Sequence, residues 1–562
     1  MNFEIVQVSS LEKVRAQDSL KRDEMYKKTV LAGERLSYQI CMKADGPVDL
    51  AVSVESELPG AVRLYLVRDA YMDMPVTEGN MEGEDYITLE PGFMPDILVP
   101  LEEQGNRMMV SRKTTTVWVK VDVPKDTPAG DYRVKVRMVP AGLQEALPPS
   151  AEEASFMVCQ VMDIHVIPVS LPEQRLIYTR WFYADCIAVQ HDVEIYSEKH
   201  WELIDKYIAA AADVGVNMIL VPIHTPPLDT AIGITRPCVQ LVDIEKKGDR
   251  YEFSFGKFKR FIDICKKNGI RYFEMAHMFS QWGAKCAPNI SVTENGKKDY
   301  LFGWHVAADS KEYVNFLGQY IAAISRELEA EGISEQTYFH ISDEPSLQAM
   351  ETYRTASHIM RPLIGDSKAF DALSNYDFYE KGLIECPVTS VEHIHDFLEH
   401  EVENQWAYYC CGPVRVFPNS FLAMPSHRIR ILGFLLYRYN IKGFLHWGLN
   451  FYNSCVSKYP INPYITTSAD GVFSSGDPFI LYPSRDGAYS SIRGEVTYEA
   501  VQDMDICCAL ERHIGREAVV VMIDSAAGRT LRFDDYPKNK EFLEGLRAAM
   551  VEKLEGLSAQ AR

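Results

Sequence analysis

The sequence predicts a multidomain α/β protein: an N-terminal β-sandwich, a (β/α)8 TIM-like barrel and a helical C-terminal tail. Three observations carry this reading. Over the first ~170 residues, short runs alternate apolar and polar residues between Pro/Gly clusters. Beyond them, strand-like runs alternate with helical ones, the pattern of a parallel sheet wrapped by helices. After about Tyr498 the pattern is helical. The three units are residues 1–170, 171–500 and 501–562.

In the first unit, Thr116–Val123 places Val117, Val119, Val121 and Val123 on one face, and Asp131–Met138 does so with Tyr132, Val134 and Val136. The turn-forming PKDTPAG between them predicts a hairpin. Leu36–Cys41 and Val48–Val54 read as further strands. Short strands with Pro/Gly turns indicate a sandwich. Ile164–Leu176 carries two prolines and no clear period, so it reads as a linker or boundary strand.

Eight barrel strands are predicted: Leu176–Phe182, Asn217–Pro222, Arg271–Ala276, Thr337–Ser342, Lys368–Leu373, Cys386–Thr389, Gln405–Cys410 and Lys442–Trp447. His200–Val214 and Lys311–Leu328 space their apolar residues as helices do, and Lys540–Leu557 reads as the last helix. In such a barrel the loops after strands build the active site. The stretches 222–253 and 277–310 are long and rich in aromatics, His and Pro.

Composition narrows the function. The chain has 562 residues, 47% hydrophobic and 24% charged, which is ordinary globular material. Its net charge of −21 disfavours nucleic acid and anionic membranes as partners. No run reaches the roughly 18 apolar residues of a membrane helix. The twelve cysteines include no CxxC pair and read as reduced thiols. With no signal-like N-terminus, they point to the cytoplasm. No phosphate-binding glycine loop, nucleophile elbow or zinc spacing is present, so no cofactor and no metal are expected. His393 and His395 are two apart and do not share a helix face. His224, His277, His340 and Asp343 are a weak metal constellation.

The informative stretch is Thr337-Tyr-Phe-His-Ile-Ser-Asp-Glu-Pro345. Tyr338, His340 and Ser342 have the parity of the barrel interior, and Phe339 and Ile341 that of the surrounding helices. Asp343 and Glu344 serve one pocket only if the chain turns at the strand end, and Pro345 favours such a break. Paired carboxyls there suit acid–base work: Glu344 protonated as general acid, Asp343 ionised. The competing reading makes Asp343 a helix N-cap with Pro345 inside the helix.

Together with Trp181-Phe-Tyr-Ala-Asp185, His224-Thr-Pro-Pro-Leu-Asp-Thr230, Gln281-Trp-Gly-Ala284, Tyr408-Tyr-Cys-Cys-Gly-Pro413, Gly443-Phe-Leu-His-Trp-Gly-Leu-Asn450, Gly476-Asp477, Tyr482-Pro483 and Ser491-Ile-Arg493, this pair resembles glycoside hydrolase family 123, the β-N-acetylgalactosaminidases, and its related uncharacterised catalytic-domain group. The resemblance runs from about Ile177 to about Asp505. It implies a retaining exo-glycosidase acting on terminal β-linked N-acetylgalactosamine of an oligosaccharide or glycolipid glycan. The substrate's own acetamido oxygen would attack the anomeric carbon, giving an oxazoline-type intermediate. Asp343 would orient the acetamido N–H, and Glu344 would act as acid, then base.

Aromatics at strand ends suit sugar stacking. Trp447, Trp282 and Trp181 are wall candidates or packing. Tyr376, after strand five, is a candidate donor to the acetamido oxygen. His224, Glu274, His277 and Asn450 are candidates for the hydroxyls. Arg493 and Asp477 read as sugar contacts or as a buried ion pair. Two other functions stay open: another hexosaminidase specificity, β-N-acetylglucosaminidase first, and a non-catalytic carbohydrate-binding barrel.

Overall fold

The computed structural model describes residues 3–77, 85–141 and 158–560. Two sheets build the N-terminal region. One has the order Phe3–Ser9, Arg35–Ala44, Thr115–Asp122, Val62–Met72, Gly92–Pro100, Ala488–Ser491, Tyr482–Pro483. The other runs Lys27–Ala32, Val158–Ser170, Gly130–Pro140, Val48–Ser56, Arg107–Val110. The valines of both period-2 runs meet in the core between them.

The expected hairpin does not form. Thr115–Asp122 pairs with Arg35–Ala44 and Val62–Met72, whereas Gly130–Pro140 pairs with Val158–Ser170 and Val48–Ser56 in the facing sheet. The PKDTPAG turn therefore arches across the core. Both runs still point their valines inward, because period two fixes the buried face and not the partner. The expected linker also changes: Val158–Ser170 is a strand paired on both edges, and its register shifts between Ile167 and Ser170, where Pro168 lacks a donor.

The seven-stranded sheet is covered on both faces. Val117, Val119 and Val121 face the sandwich core, while Trp118 packs into the core shared with the barrel. Lys120, fully buried, sits on that second side. Its Nζ lies 2.6 Å from Glu495 of the C-terminal region and 2.7 Å from Asp213 of a barrel helix.

All eight predicted barrel strands are present, six of them shorter than expected, and close into one parallel barrel: Ile177–Arg180, Met218–Val221, Tyr272–Met275, Thr337–Phe339, Lys368–Leu373, Cys386–Ser390, Trp406–Tyr408 and Gly443–His446. The long loops after strands two and three each carry a hairpin, 243–254 and 290–302, and pair with each other into a four-stranded sheet. Helices Glu198–Asp213 and Lys311–Ala330 bury the predicted faces, each started by a serine (Ser197, Ser310) whose hydroxyl accepts a first-turn N–H.

Beyond the barrel the chain returns to the sandwich. Ser490 and Ser491 pair opposite Leu98 and Ile97, and the helix Ile492–Ile514 starts there and runs on past residue 500. Helices Arg516–Ala527 and Lys540–Gln560 complete the tail. All twelve cysteines are free thiols. No helix among the described residues is long and apolar enough to cross a membrane.

Arg493 forms the tightest joint. Its guanidinium is fully buried and meets the Asp96 carboxylate at 2.9–3.1 Å through Nε and a terminal nitrogen, with Tyr482 donating to the same carboxylate at 2.7 Å. The expected Arg493–Asp477 pair is absent. Asp96→Ala strands the guanidinium without a counter-ion, so we expect a loss of about 3–5 kcal/mol, seen as a large fall in melting temperature. Asp96→Leu combined with Arg493→Met should lose less. A fall in melting temperature with Asp96→Ala no larger than that of an exposed-residue control would show that the joint is not held there.

Candidate active site

Strand four stops at Phe339, and the next residues leave the sheet with other partners. The Asp371 carboxylate of strand five accepts Ile341 N–H at 3.0 Å and Ser342 N–H at 3.1 Å. Glu344 N–H then bonds the Ala372 carbonyl at 3.0 Å, with Glu344 at φ 41° in the left-handed region. This turn sets Asp343 and Glu344 side by side on one cavity of about 150 Å³. The following helix begins only at Met350, after a 3-10 turn, so Asp343 caps no helix.

No side chain or backbone N–H among the described residues donates to the Asp343 carboxyl. It is 9% exposed, and burial pushes it well above the usual carboxylate range. The Glu344 charge adds to the rise and His340 below opposes it. Glu344 is exposed at the cavity, and the atoms packed around its carboxyl raise it too. The Tyr408 hydroxyl donates to Glu344 Oε1 at 2.6 Å and works against the rise. Both carboxyls are raised, so the pair tends to hold one shared proton.

Beneath the pair, His340 lies between two carboxylates, Nε2 at 2.9 Å from Glu274 and Nδ1 at 3.1 Å from Asp371, all three fully buried. Burial alone would lower the imidazole, but the two partners outweigh it and raise it to about 9. Tyr353 donates to Asp371 at 2.7 Å, and the Trp181 indole to Glu274 at 3.2 Å. His277 stacks on His340 with ring centres 3.8 Å apart and planes 12° apart. Nitrogens of His277 and His340 and an Asp371 oxygen lie within 4.8 Å of one another. Lone pairs of stacked rings do not converge on a common point, and both His340 nitrogens are engaged, so the arrangement suits an ion-pair network better than a metal.

The walls are aromatic: Trp181, Tyr183, Trp282, Tyr408, Trp447 and Phe473. Trp447 donates its indole N–H to Asp477 at 2.9 Å, and burial pushes that carboxyl up to about 8. Trp282 is half exposed at φ 59°, and its N–H bonds the Asp343 carbonyl at 2.8 Å. Gly283 beside it has φ 130°, and a Cβ there would meet Ala349 at 2.7 Å. The wall is also tied to the sandwich. Asp73 accepts Thr467 N–H at 2.9 Å and the Ser475 hydroxyl at 3.0 Å, holding the loop that presents Phe473.

Of the ten residues singled out by sequence, Asp343, Glu344, Trp181, Trp282 and Trp447 line the cavity, and five do not. Tyr376 stacks on His400 at 4.2 Å, because the chain after strand five turns at once into a short helix. Tyr408 of strand seven supplies the hydroxyl at the pair instead. Glu274 and His277 lie one layer deeper, in the floor. His224 is buried with Nε2 2.9 Å from the His277 carbonyl. Asn450 bonds both backbone groups of Tyr183 at 3.0 Å and braces that wall residue. Sequence reasoning missed Tyr408 and Asp229 as site residues, though both stand inside stretches that already carried the resemblance.

Comparison with known proteins places this geometry. The family model of the glycoside hydrolase 123 catalytic domain matches residues 181–510. A family 123 glycoside hydrolase from Clostridium perfringens, described for glycolipid glycan hydrolysis, superposes with TM-score 0.71 at 16% identity, covering 100% of this chain and 99% of that one. A family 5 mannosidase from Rhizomucor miehei covers 59% of this chain and 92% of its own at 14% identity, with TM-score 0.31. No match was found among curated proteins. The family match spans more than half of the chain and contains the carboxylate pair, and the chain belongs to glycoside hydrolase family 123.

Proposed function

We propose that the protein is a retaining exo-glycosidase that removes terminal β-linked N-acetylgalactosamine from oligosaccharide or glycolipid glycans with the help of the substrate's acetamido group. One observation carries this reading: the two carboxyls are neighbours in sequence on one side of the cavity. A retaining enzyme with its own nucleophile places two carboxyls on opposite faces of the sugar, ~5–5.5 Å apart. Adjacent carboxyls suit a different division, one for the acetamido group and one for the leaving oxygen. The small, aromatic-walled cavity supports a single terminal sugar. The described action of the Clostridium perfringens relative on glycolipid glycans supports the substrate class.

In the proposed cycle the acetamido N–H donates to Asp343. That hydrogen bond favours the ionised form and drives the shared proton to Glu344. The acetamido oxygen attacks the anomeric carbon as the glycosidic bond breaks, and Glu344 protonates the departing oxygen. Asp343 stabilises the positive oxazolinium. Water then attacks the anomeric carbon, Glu344 takes its proton, and the ring opens with the β configuration retained.

The test compares aryl β-N-acetylgalactosaminide with the N-acetylglucosaminide. Release from the galacto substrate is expected, blocked by a thiazoline mimic of the oxazoline. Glu344→Gln should lower kcat/KM by ~10²–10⁴ with poor leaving groups and much less with nitrophenol. Asp343→Asn should lower it by ~10²–10³ whatever the leaving group. Release from the gluco substrate alone would move the specificity. No release from either by folded protein, on aryl or intact glycans, would favour a binding protein.

Tyr408→Phe gives a pH test. Losing the donor destabilises ionised Glu344, so its pKa rises by about one unit. The alkaline limb of kcat, which reports the substrate complex in which Glu344 holds the proton, should move up by that amount. An unchanged limb would assign the general acid elsewhere.

A further inference from the structure

Asp229 lines the same cavity, on the loop after strand two, and two other loops hold it. Its N–H donates to Gln281 Oε1 at 2.6 Å, its carbonyl accepts the Ser457 hydroxyl at 2.7 Å, and its carboxyl Oδ2 accepts Val456 N–H at 3.0 Å. Asp229, Val456 and Ser457 all have left-handed backbones, with φ of 40°, 52° and 55°. L residues enter this region at a cost, a β-branched valine most of all, and such strain gathers at sites where geometry matters. Here it serves to present one carboxyl. No donor among the described residues reaches Asp229 Oδ1. The nearby Arg236 is committed to Asp185 by two nitrogens, one at 2.9 Å.

We propose that Asp229 is a specificity-determining residue whose free carboxylate oxygen accepts a hydrogen bond from one ring hydroxyl of the bound sugar. This rests on the reading of the cavity as an aminosugar site. The sugar's one amide N–H goes to Asp343, so the donors left for Asp229 are hydroxyls. An epimer that turns this hydroxyl away leaves the carboxylate half-buried and unpaired. A site built to bond a hydroxyl discriminates far more strongly than an apolar one.

The experiment pairs Asp229→Asn, which keeps the shape and the bond to Val456, with aryl β-N-acetylgalactosaminide and its 3-, 4- and 6-deoxy forms. The parent should lose ~10- to 100-fold in kcat/KM on one deoxy substrate. Asp229→Asn should lose a similar factor on the full substrate and nothing further on that deoxy form. An equal loss by the variant on every substrate, or no loss at all, overturns the proposal. So does a covalent sugar on Asp229 of the parent, which would make it a nucleophile. Melting temperatures matched to the parent exclude misfolding. A parent that releases no aminosugar refutes the proposed activity instead. The same deoxy series as methyl glycosides, titrated by calorimetry, then decides on Asp229: equal loss of affinity in parent and variant for every analogue, or no binding to the parent, overturns it.

Discussion

The buried contact of His340 with Glu274 and Asp371 is the constraint on which the pocket depends. Strand four is only three residues long; beyond Phe339 the carbonyls of His340 and Ile341 still accept from Met278 and Phe279, but the N–H groups on the strand-five side lose their backbone partners. Asp371 replaces them, taking the N–H groups of Ile341 and Ser342 with a side chain from strand five. A carboxylate so deep needs a cation, and His340 supplies it while satisfying Glu274 with its other nitrogen. The chain can then leave the barrel axis and turn at Glu344. The adjacency of the two cavity carboxyls follows from the charge balance one layer below them.

The same layer sets how the pair shares a proton. Asp343 is deep, bare of donors and beside another carboxyl, and only the charge on His340 opposes its rise. Glu344 has Tyr408 to hold its ionised form. In the proposed cycle an amide N–H arriving at Asp343 favours its ionised form and leaves the shared proton to Glu344, so on that reading acid competence is coupled to a substrate that carries an acetamido group.

What was legible in the sequence follows from what periodicity encodes. All eight barrel strands could be read, because apolar runs separated by amphipathic helices leave few alternatives. The adjacent carboxyls were legible because adjacency survives folding. Thr116–Val123 and Asp131–Met138 were read as paired because alternation gives the buried face but is silent on which sheet a strand joins. Glu274, His277, His224 and Asn450 were read as sugar contacts because parity tells inside from outside and not depth along the axis. Glu274 instead meets His340 and the Trp181 indole, His224 and Asn450 bond backbone groups, and His277 stacks on His340. Tyr376 and Tyr408 both follow or end a strand, and only the loop geometry decides which one faces the cavity. Asp229 was hidden because its signal is backbone strain, which a run of HTPPLDT does not display.

The sandwich belongs to the site as much as the barrel does. Asp96 takes Arg493, and Arg493 in turn donates to the carbonyl of Gly476, next to Asp477. Asp477 has no arginine or lysine partner; its neighbour is His446, Nε2 at 3.4 Å from Oδ1, whose imidazole burial holds well below its usual range, and burial raises the Asp477 carboxyl to about 8 while Trp447 donates to its other oxygen. Had Arg493 paired with Asp477, as its place in the sequence suggested, a charge would stand behind the tryptophan wall. Asp73 fixes the loop of Phe473, whose ring meets Trp447 edge-on at 5.4 Å. Two carboxylates of the N-terminal region, Asp96 in its sheet and Asp73 just past the strand Val62–Met72, therefore brace two of the six aromatic walls. A barrel cut away from its sandwich would keep Asp343 and Glu344 at the turn after strand four and lose the braces behind two of the walls that face them.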